Sequence, residues 1–453
     1  MANLDLRLIA SAATPEIAAS TVAIVGGGYA GMAAAVTLAD EGIASTVFEA
    51  GVCLGGRARQ IEYRGEVLDN GQHILAGAYT ELLSLMRLVG VSEAAFQRVP
   101  LCLSMPPNFL LRASTSPWLP GPLYLAWTLL TAQGLSFSDK FAAIRFMQTL
   151  KRAKFQVDAN ISVATLLAAH RQSKNLIDHL WQPLTISALN TPLATASAQI
   201  FANVLRDSLA SCPEASDLLL PRVDLSALFP QPAAAWLAER GGETLLGTRV
   251  REILPQAGQY AVCCDHYCCP FDSVILAVGP QQLDGLLPGV SSPALGYEPI
   301  TTIYFKFARP VRLPEPMLGQ MNGLAQWFFD RNALAHDQSE SGLIAAVISA
   351  SGPHQLLSQE MLVERVLIEL QQHVADLPAP IWHKAITEKF ATFACTSTAA
   401  RPGTTTPHAG VFRAGDYVAG DYPATLEGAV RNGISAAQAS LAYLKLAAKK
   451  LKQ

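Results

Sequence analysis

Near the N-terminus the chain gathers residues whose types and spacing suit phosphate chemistry. Gly26, Gly28 and Gly31 satisfy G-x-G-x-x-G, Glu49 follows them, and Arg57 and Arg59 lie in AGVCLGGRAR. An apolar run, Val22 to Val25, leads into the glycines; an Ala-rich helical stretch and a second strand, Ser45 to Phe48, lead out of them to Glu49. In this order Gly26 permits a tight strand-to-helix turn, Gly28 lets backbone approach a diphosphate, and Gly31 lets the helix pack on the strand. The diphosphate then faces free N–H groups at the positive end of the helix dipole. An acid about twenty residues on accepts from ribose hydroxyls and suits an unphosphorylated ribose. The two arginines add planar forks that each hold two oxygens.

Two more polar clusters stand apart from this one. In LDNGQHILAGAY, residues 68–79, Asp69, Asn70, Gln72 and His73 surround Gly71, between a short strand over 65–68 and a helix beginning near Tyr79. A polar turn with an Asx cap is one reading. In the other, His73 is a general acid, being the most adaptable proton donor of the set, and Asp69 is its catalytic companion. Near the C-terminus a strand ends on Gly415 and Asp416, and Pro423 to Glu427 opens a helix. Free N–H groups at Thr425 and Leu426 would make a second anion-binding helix start.

The run from Glu49 through Gly55, Gly56 and Arg57 resembles the large family of flavin amine oxidases and carotenoid-type desaturases. That resemblance implies an α/β fold: a Rossmann-type FAD-binding domain with an inserted substrate domain of mixed sheet plus helices. It implies FAD as cofactor, with Arg57 and Arg59 toward the diphosphate and flavin. Gln72 and His73 would pass the isoalloxazine ring, and Val250 would pack by the adenine. Gly415 and Asp416 would hold the ribityl or diphosphate region, and Thr425 and Leu426 the N1–C2=O edge of the flavin. A closer resemblance, carried by LDNGQHILAGAY, PLTISALNTP with SAQIFANVLRDSL, and GDYPATLEGAVRNG, is to the hydroxysqualene dehydroxylases of bacterial hopanoid biosynthesis. It implies a long-chain isoprenoid substrate, hydroxysqualene, reduced to squalene with loss of water. The chain departs from that pattern at Gly27, Tyr417 and a cysteine-rich hairpin. A carotenoid-type desaturase is the first alternative, and a non-catalytic isoprenoid carrier on the same fold the second. Retention of both flavin signatures counts against a carrier. The electron donor is not legible.

The remaining chain must position these groups and receive the substrate. Charged residues make up 15% of the 453 residues, against a typical ~25%, while hydrophobic ones reach 50% and mean hydropathy is +0.25. An apolar cavity or a membrane-facing patch accounts for that excess. A net charge of -3 argues against nucleic-acid binding. Residues 1–20 carry Asp5 and Glu16 without a sustained apolar core, so they read as a flexible leader, and the expected location is cytoplasmic. Residues 113–138 are charge-free but broken by prolines and glycines; the uninterrupted part, Leu123 to Leu135, is shorter than the ~20 residues of a membrane span. Two readings stay open there: an interfacial segment giving peripheral membrane contact, and a buried helix under a lid. Residues 139–180 read as helices with basic faces that include Lys140. Trp181 to Leu205, charge-free but rich in Ser, Thr and Asn, should line an interior.

The eight cysteines cluster only in CCDHYCC, 263–269. The pairs lack zinc spacing, so the expectation is a hairpin turning at 265–267 with reduced, packed thiols. Past it, Val274 to Val278 reads as a buried parallel strand, preceded by another over 248–253. Between 297 and 390, three strands and one helix suggest the mixed sheet that walls the substrate cavity. The partition that follows is a discontinuous FAD-binding domain over 21–80, 228–290 and 410–447. A substrate-binding domain whose apolar helices are candidates for membrane contact takes 81–227 and 291–409.

Overall fold

A computed structural model describes residues 21–114, 121–256, 258–334 and 342–451 of the chain; the N-terminal leader lies outside them. At its centre is a five-stranded parallel sheet. Val22–Val25, Ser45–Phe48 and Ser273–Leu276 are nearly sealed from solvent on both faces, which is why they read as continuous apolar runs. Val22–Val25 pairs with Ser45–Phe48 on one side and Ser273–Leu276 on the other, while Glu243–Leu245 and Val411–Arg413 form the edges. The helix Tyr29–Asp40 packs on this sheet together with the 26-residue C-terminal helix Leu426–Leu451.

Two expectations fail in the return segment. No strand covers 248–253; the strands are Glu243–Leu245 and Glu252–Gln256, and residues 248–251 cross from one sheet to another as extended coil. The hairpin turns where expected, with Gln259–Cys263 antiparallel to Cys268–Phe271. Its thiols are not all reduced, however. Cys263 and Cys268 lie opposite each other in the register and form a disulfide, leaving Cys264 and Cys269 free. Alternation along a strand sends neighbouring side chains to opposite faces, so the bonded and free cysteines separate.

The second large sheet has the order Met317–Gly319, Trp327–Asp330, Leu343–Ser349, Tyr297–Lys306, Trp382–Phe393. All of its pairings are antiparallel, where a mixed sheet was expected. The helix Gln359–Gln371 covers one face over Ile303, Phe305 and Phe328. The opposite face, with Thr302 and Tyr304, turns to the polar loop at 69–73.

A helical layer completes the molecule. Gly121–Thr131, Phe137–Arg152, Ala198–Ser208 and shorter helices surround an apolar core that contains Phe146, Trp181 and Phe201. Trp181 to Leu205 is not one helix: Gln182–Leu189 stops at Asn190, whose φ of 46° is left-handed. Part of the charge-free segment, 115–120, lies outside the described residues. Among the described residues no helix is long and apolar enough to cross a membrane.

Candidate active site and nucleotide cleft

The glycine cluster forms a close-packed cradle where the sequence places it. A methyl group on Gly31 would collide with the carbonyl oxygen of Gly26, so the helix can sit this close to the turn only without a side chain. The second glycine turn then docks on the first. Gly55 N donates to Gly27 O over 2.9 Å, and Gly56, at φ +63°, stacks its Cα against Gly28. Arg59 returns to this loop, donating to Gly56 O over 2.7 Å.

Glu49 ties the two glycine turns together. Its carboxylate accepts from Gly27 N at 2.8 Å and from Gly51 N at 2.6 Å, which fixes both oxygens and leaves lone pairs facing outward. Gly27, absent from the fingerprint, lies close to the side chains of Leu54 and Glu49, which would have to shift to admit a Cβ there. Thr248 N donates to Glu49 O and Gly247 N to Gly51 O, so the coil carrying buried Val250 lies along this turn.

At the other end Arg57 reaches across to the last sheet strand. Its guanidinium donates to Asp416 Oδ1 at 2.6 Å and to the carbonyls of Phe390 and Ala391 at 3.2 and 2.7 Å. Beside this pair the hydroxyl of Tyr417 is buried without a hydrogen-bond partner among the described residues. The C-terminal helix start departs from expectation in one respect. Thr425 N is not free, because it donates to Pro423 O at 2.8 Å. Leu426 N has no partner among the described residues, and Thr425 instead caps the helix through its hydroxyl, accepting from Gly428 N. Glu427, fully buried, accepts from Glu81 N and Leu82 N and pairs with Arg431, so it caps the neighbouring helix Thr80–Leu88. Glycine cradle, acid, orphan hydroxyl and orphan N–H together fit a flavin nucleotide.

The polar loop is held by residues that sequence reasoning missed. Asp69 is 1% exposed. Its carboxylate accepts from Leu225 N at 2.8 Å and lies 3.9 Å from Arg331, and its carbonyl accepts from Tyr304 OH at 3.0 Å. Burial pushes its pKa up to about 6, with Asp224 adding to the shift and Arg331 and Leu225 N opposing it. So placed, Asp69 is a structural anchor. Gln72 accepts from Arg331 at 3.3 Å and its N–H donates to Thr302 Oγ1. Asn70 donates to Glu388 at 3.2 Å.

His73 carries the freedom that Asp69 lacks. Its Nδ1 lies 2.8 Å from Gly71 O, which makes Nδ1 the donor and leaves Nε2 available. Burial lowers its pKa, Arg57 lowers it further, and the Gly71 carbonyl opposes both. The one signal for Arg331 was a cation directly after the apolar strand WFFD.

The inserted helices pack around a nearly closed apolar crevice of about 10 Å³, with Leu103, Leu129, Trp181 and Leu184 among its uniformly apolar lining. Asn190 ties these helices to the antiparallel sheet, donating to Thr392 Oγ1 at 2.9 Å and accepting from Ala350 N at 2.6 Å. On the outside of the layer Trp127, Phe137 and Phe141 are 51%, 74% and 62% exposed. Lys140, expected on a basic face, is buried, its ammonium donating to Leu130 O at 2.8 Å.

A family model of flavin containing amine oxidoreductases matches residues 29–441. The chain is 30% identical to a hydroxysqualene dehydroxylase of Rhodopseudomonas palustris over 93% of its own length and 98% of that protein. It is 29% identical to one of Zymomonas mobilis over 94% of its length and all of the relative. Among solved structures, an oxidoreductase from Methanosarcina mazei shares the fold at a TM-score of 0.71 and 17% identity, covering 92% of this chain and 100% of that one. A putrescine oxidase does so at 0.67 and 17%, covering 93% and 99%. The chain belongs to the flavin containing amine oxidoreductase family and, within it, to the hydroxysqualene dehydroxylases.

Proposed function

We propose that this protein binds FAD and catalyses the reductive dehydroxylation of hydroxysqualene to squalene in hopanoid biosynthesis. The observation that carries the reading is end-to-end similarity to proteins of that name, including the inserted segment around 181–205 that superfamily-wide flavin motifs do not explain. The proposed domains are those read from the chain: FAD-binding over 21–80, 228–290 and 410–447, substrate-binding over 81–227 and 291–409. The Gly26–Gly31 turn and the helix after it would hold the diphosphate, Glu49 the adenosine ribose and Val250 the adenine side. Arg57, Asp416 and the N–H of Leu426 would face the flavin half.

The net change is R–OH plus hydride plus a proton giving R–H plus water. Bound and reduced, the flavin supplies the hydride. The chain's own residues handle the proton and the water. Protonated His73 gives its Nε2 proton to the departing hydroxyl, while its Nδ1 stays on Gly71 O. Arg331, through Gln72 and Asp69, holds the loop that presents it. The apolar side chains packed at Leu103, Leu129, Trp181 and Leu184 would part to receive the hydrocarbon and exclude water that would recapture an allylic cation. Exposed Trp127, Phe137 and Phe141 would dip into one leaflet, giving peripheral contact with the inner face of the cytoplasmic membrane. An external reductant of unidentified class must restore the reduced flavin after each turnover.

The test is to incubate photoreduced, flavin-loaded protein anaerobically with hydroxysqualene and analyse extracted lipid. One squalene per flavin reoxidised supports the reading. Conjugated polyene formed from phytoene by oxidised protein would replace it with a desaturase, the activity named for a probable zeta-carotene desaturase that is 25% identical over 51% of this chain. Because the acidic form of His73 is required and its pKa is lowered, kcat/KM should fall about tenfold per pH unit above that pKa, which lies below 6.5. His73→Gln should remove this limb along with most of the activity.

A further inference from the structure

The two faces of the antiparallel sheet are used differently at its edge strand, Trp382–Phe393. Glu388 turns to the polar loop, where it accepts from Asn70. Its neighbour Lys389 points the opposite way, into a cleft of about 550 Å³ behind the sheet. That volume is within the ~300–1,000 Å³ of small-molecule sites. The cleft lies between the edge strands, the turn Pro353–Leu356 and the start of the helix Gln359–Gln371.

Its lining divides by chemistry. Tyr297, Leu357 and Leu362 supply an apolar wall. Opposite them stand Lys389, which forms no ion pair among the described residues, and the Thr301–Thr387 hydroxyl pair, 2.9 Å apart. His354 lines the same cleft at 8% exposure, with no hydrogen-bond partner for its ring among the described residues. The ring is therefore open to a ligand that reaches it from the cleft. No carboxylate lines the cleft, and Glu298 at its margin is engaged by Ser351 N at 2.7 Å.

From this geometry we infer a second ligand site, on the face of the antiparallel sheet turned away from the 69–73 loop, that binds a small carboxylate with an apolar or aromatic body. The carboxylate sits between Lys389 and His354, and the body lies on Tyr297 and Leu362. The burial that leaves His354 unpartnered also lowers its pKa, so it offers a neutral N–H donor while Lys389 supplies the charge. The site does not depend on the reaction assigned above.

Benzoate is the probe, with benzamide as its neutral counterpart, added to full-length flavin-loaded protein and followed by calorimetry and ligand-observed NMR. Saturable one-to-one benzoate binding below about 10 mM is expected, with benzamide weaker by about tenfold. Lys389→Met should weaken benzoate by about tenfold, with flavin content and melting unchanged. His354→Gln should weaken it too; if that variant fails to fold, the exposed Lys389 position still decides. Absence of saturable binding overturns the inference. So does benzoate binding that perturbs the flavin spectrum and ignores the Lys389→Met change, because it would place the anion in the cofactor cleft.

Discussion

The glycine cradle and the polar loop at 69–73 are built on different principles. The cradle around Gly26–Gly31 and Glu49 is made from one stretch of chain, and its key contacts are backbone to backbone or carboxylate to backbone. The loop at 69–73 is held from far away in sequence, by Leu225, Thr302, Tyr304, Arg331 and Glu388. Local geometry therefore sets the glycine cradle, whereas the 69–73 loop depends on the whole antiparallel sheet being in place. Changes at the first end should act through collisions and at the second through orphaned partners.

The largest effect expected tests the local end. Gly31→Val puts a branched side chain into the Gly26 carbonyl and should cost at least about 4 kcal/mol, yielding flavin-free protein by absorbance ratio. A stable, yellow variant would break the distinction. Next comes Arg331→Met, which leaves the buried Asp69 carboxylate without its cation and should cost about 3 kcal/mol by denaturant titration. The sign with pH is specific. Asp69 titrates near 6 in the folded protein against an ordinary 3.8, so the folded state binds the extra proton, and stability falls as pH rises between those values. The slope reaches about 1.4 kcal/mol per pH unit. Loss of Arg331 should carry the fall beyond pH 6, and Asp69→Asn should abolish it.

Asn190→Ala is expected to cost about 2 kcal/mol in chemical denaturation, because it orphans Ala350 N and places alanine in a left-handed conformation. Flavin content should stay the same, since the damage falls on the helix-to-sheet clamp. The smallest effect is at Glu49→Gln. One backbone donor keeps its acceptor while the charge is lost, so FAD affinity should weaken about tenfold, or ~1.4 kcal/mol, measured by flavin fluorescence on dilution.

Legibility follows the same division. The turn at Gly26, the strand Ser45–Phe48, Arg57 and Asp416 were readable because each signal lies within a few residues of what it specifies. The strand at 248–253 was misplaced: TRVREI carries strand-forming residues, yet its first half is occupied in hydrogen-bonding the Glu49–Gly51 turn. The Trp382–Phe393 strand was missed because charged and polar residues (His383, Lys384, Glu388, Lys389) fall on both of its faces and break the apolar alternation. The thiols at 263 and 268 were assigned as reduced because pairing register, which sets them opposite one another, is not written in spacing alone.

By itself the sequence determined the glycine turns, the strand-turn-helix order around them and the resemblance to flavin enzymes, and its composition showed an excess of apolar residues, since these follow from short-range motifs and residue counts. Only the tertiary structure decided that Asp69 is an anchor while His73 keeps a free nitrogen. It also decided that Thr425 N is engaged while Leu426 N is not, and that Arg331 supports the loop. The physical reason, for Asp69 and Gln72, is that burial and hydrogen-bond partnership, which set protonation and availability, come from residues more than 150 positions away.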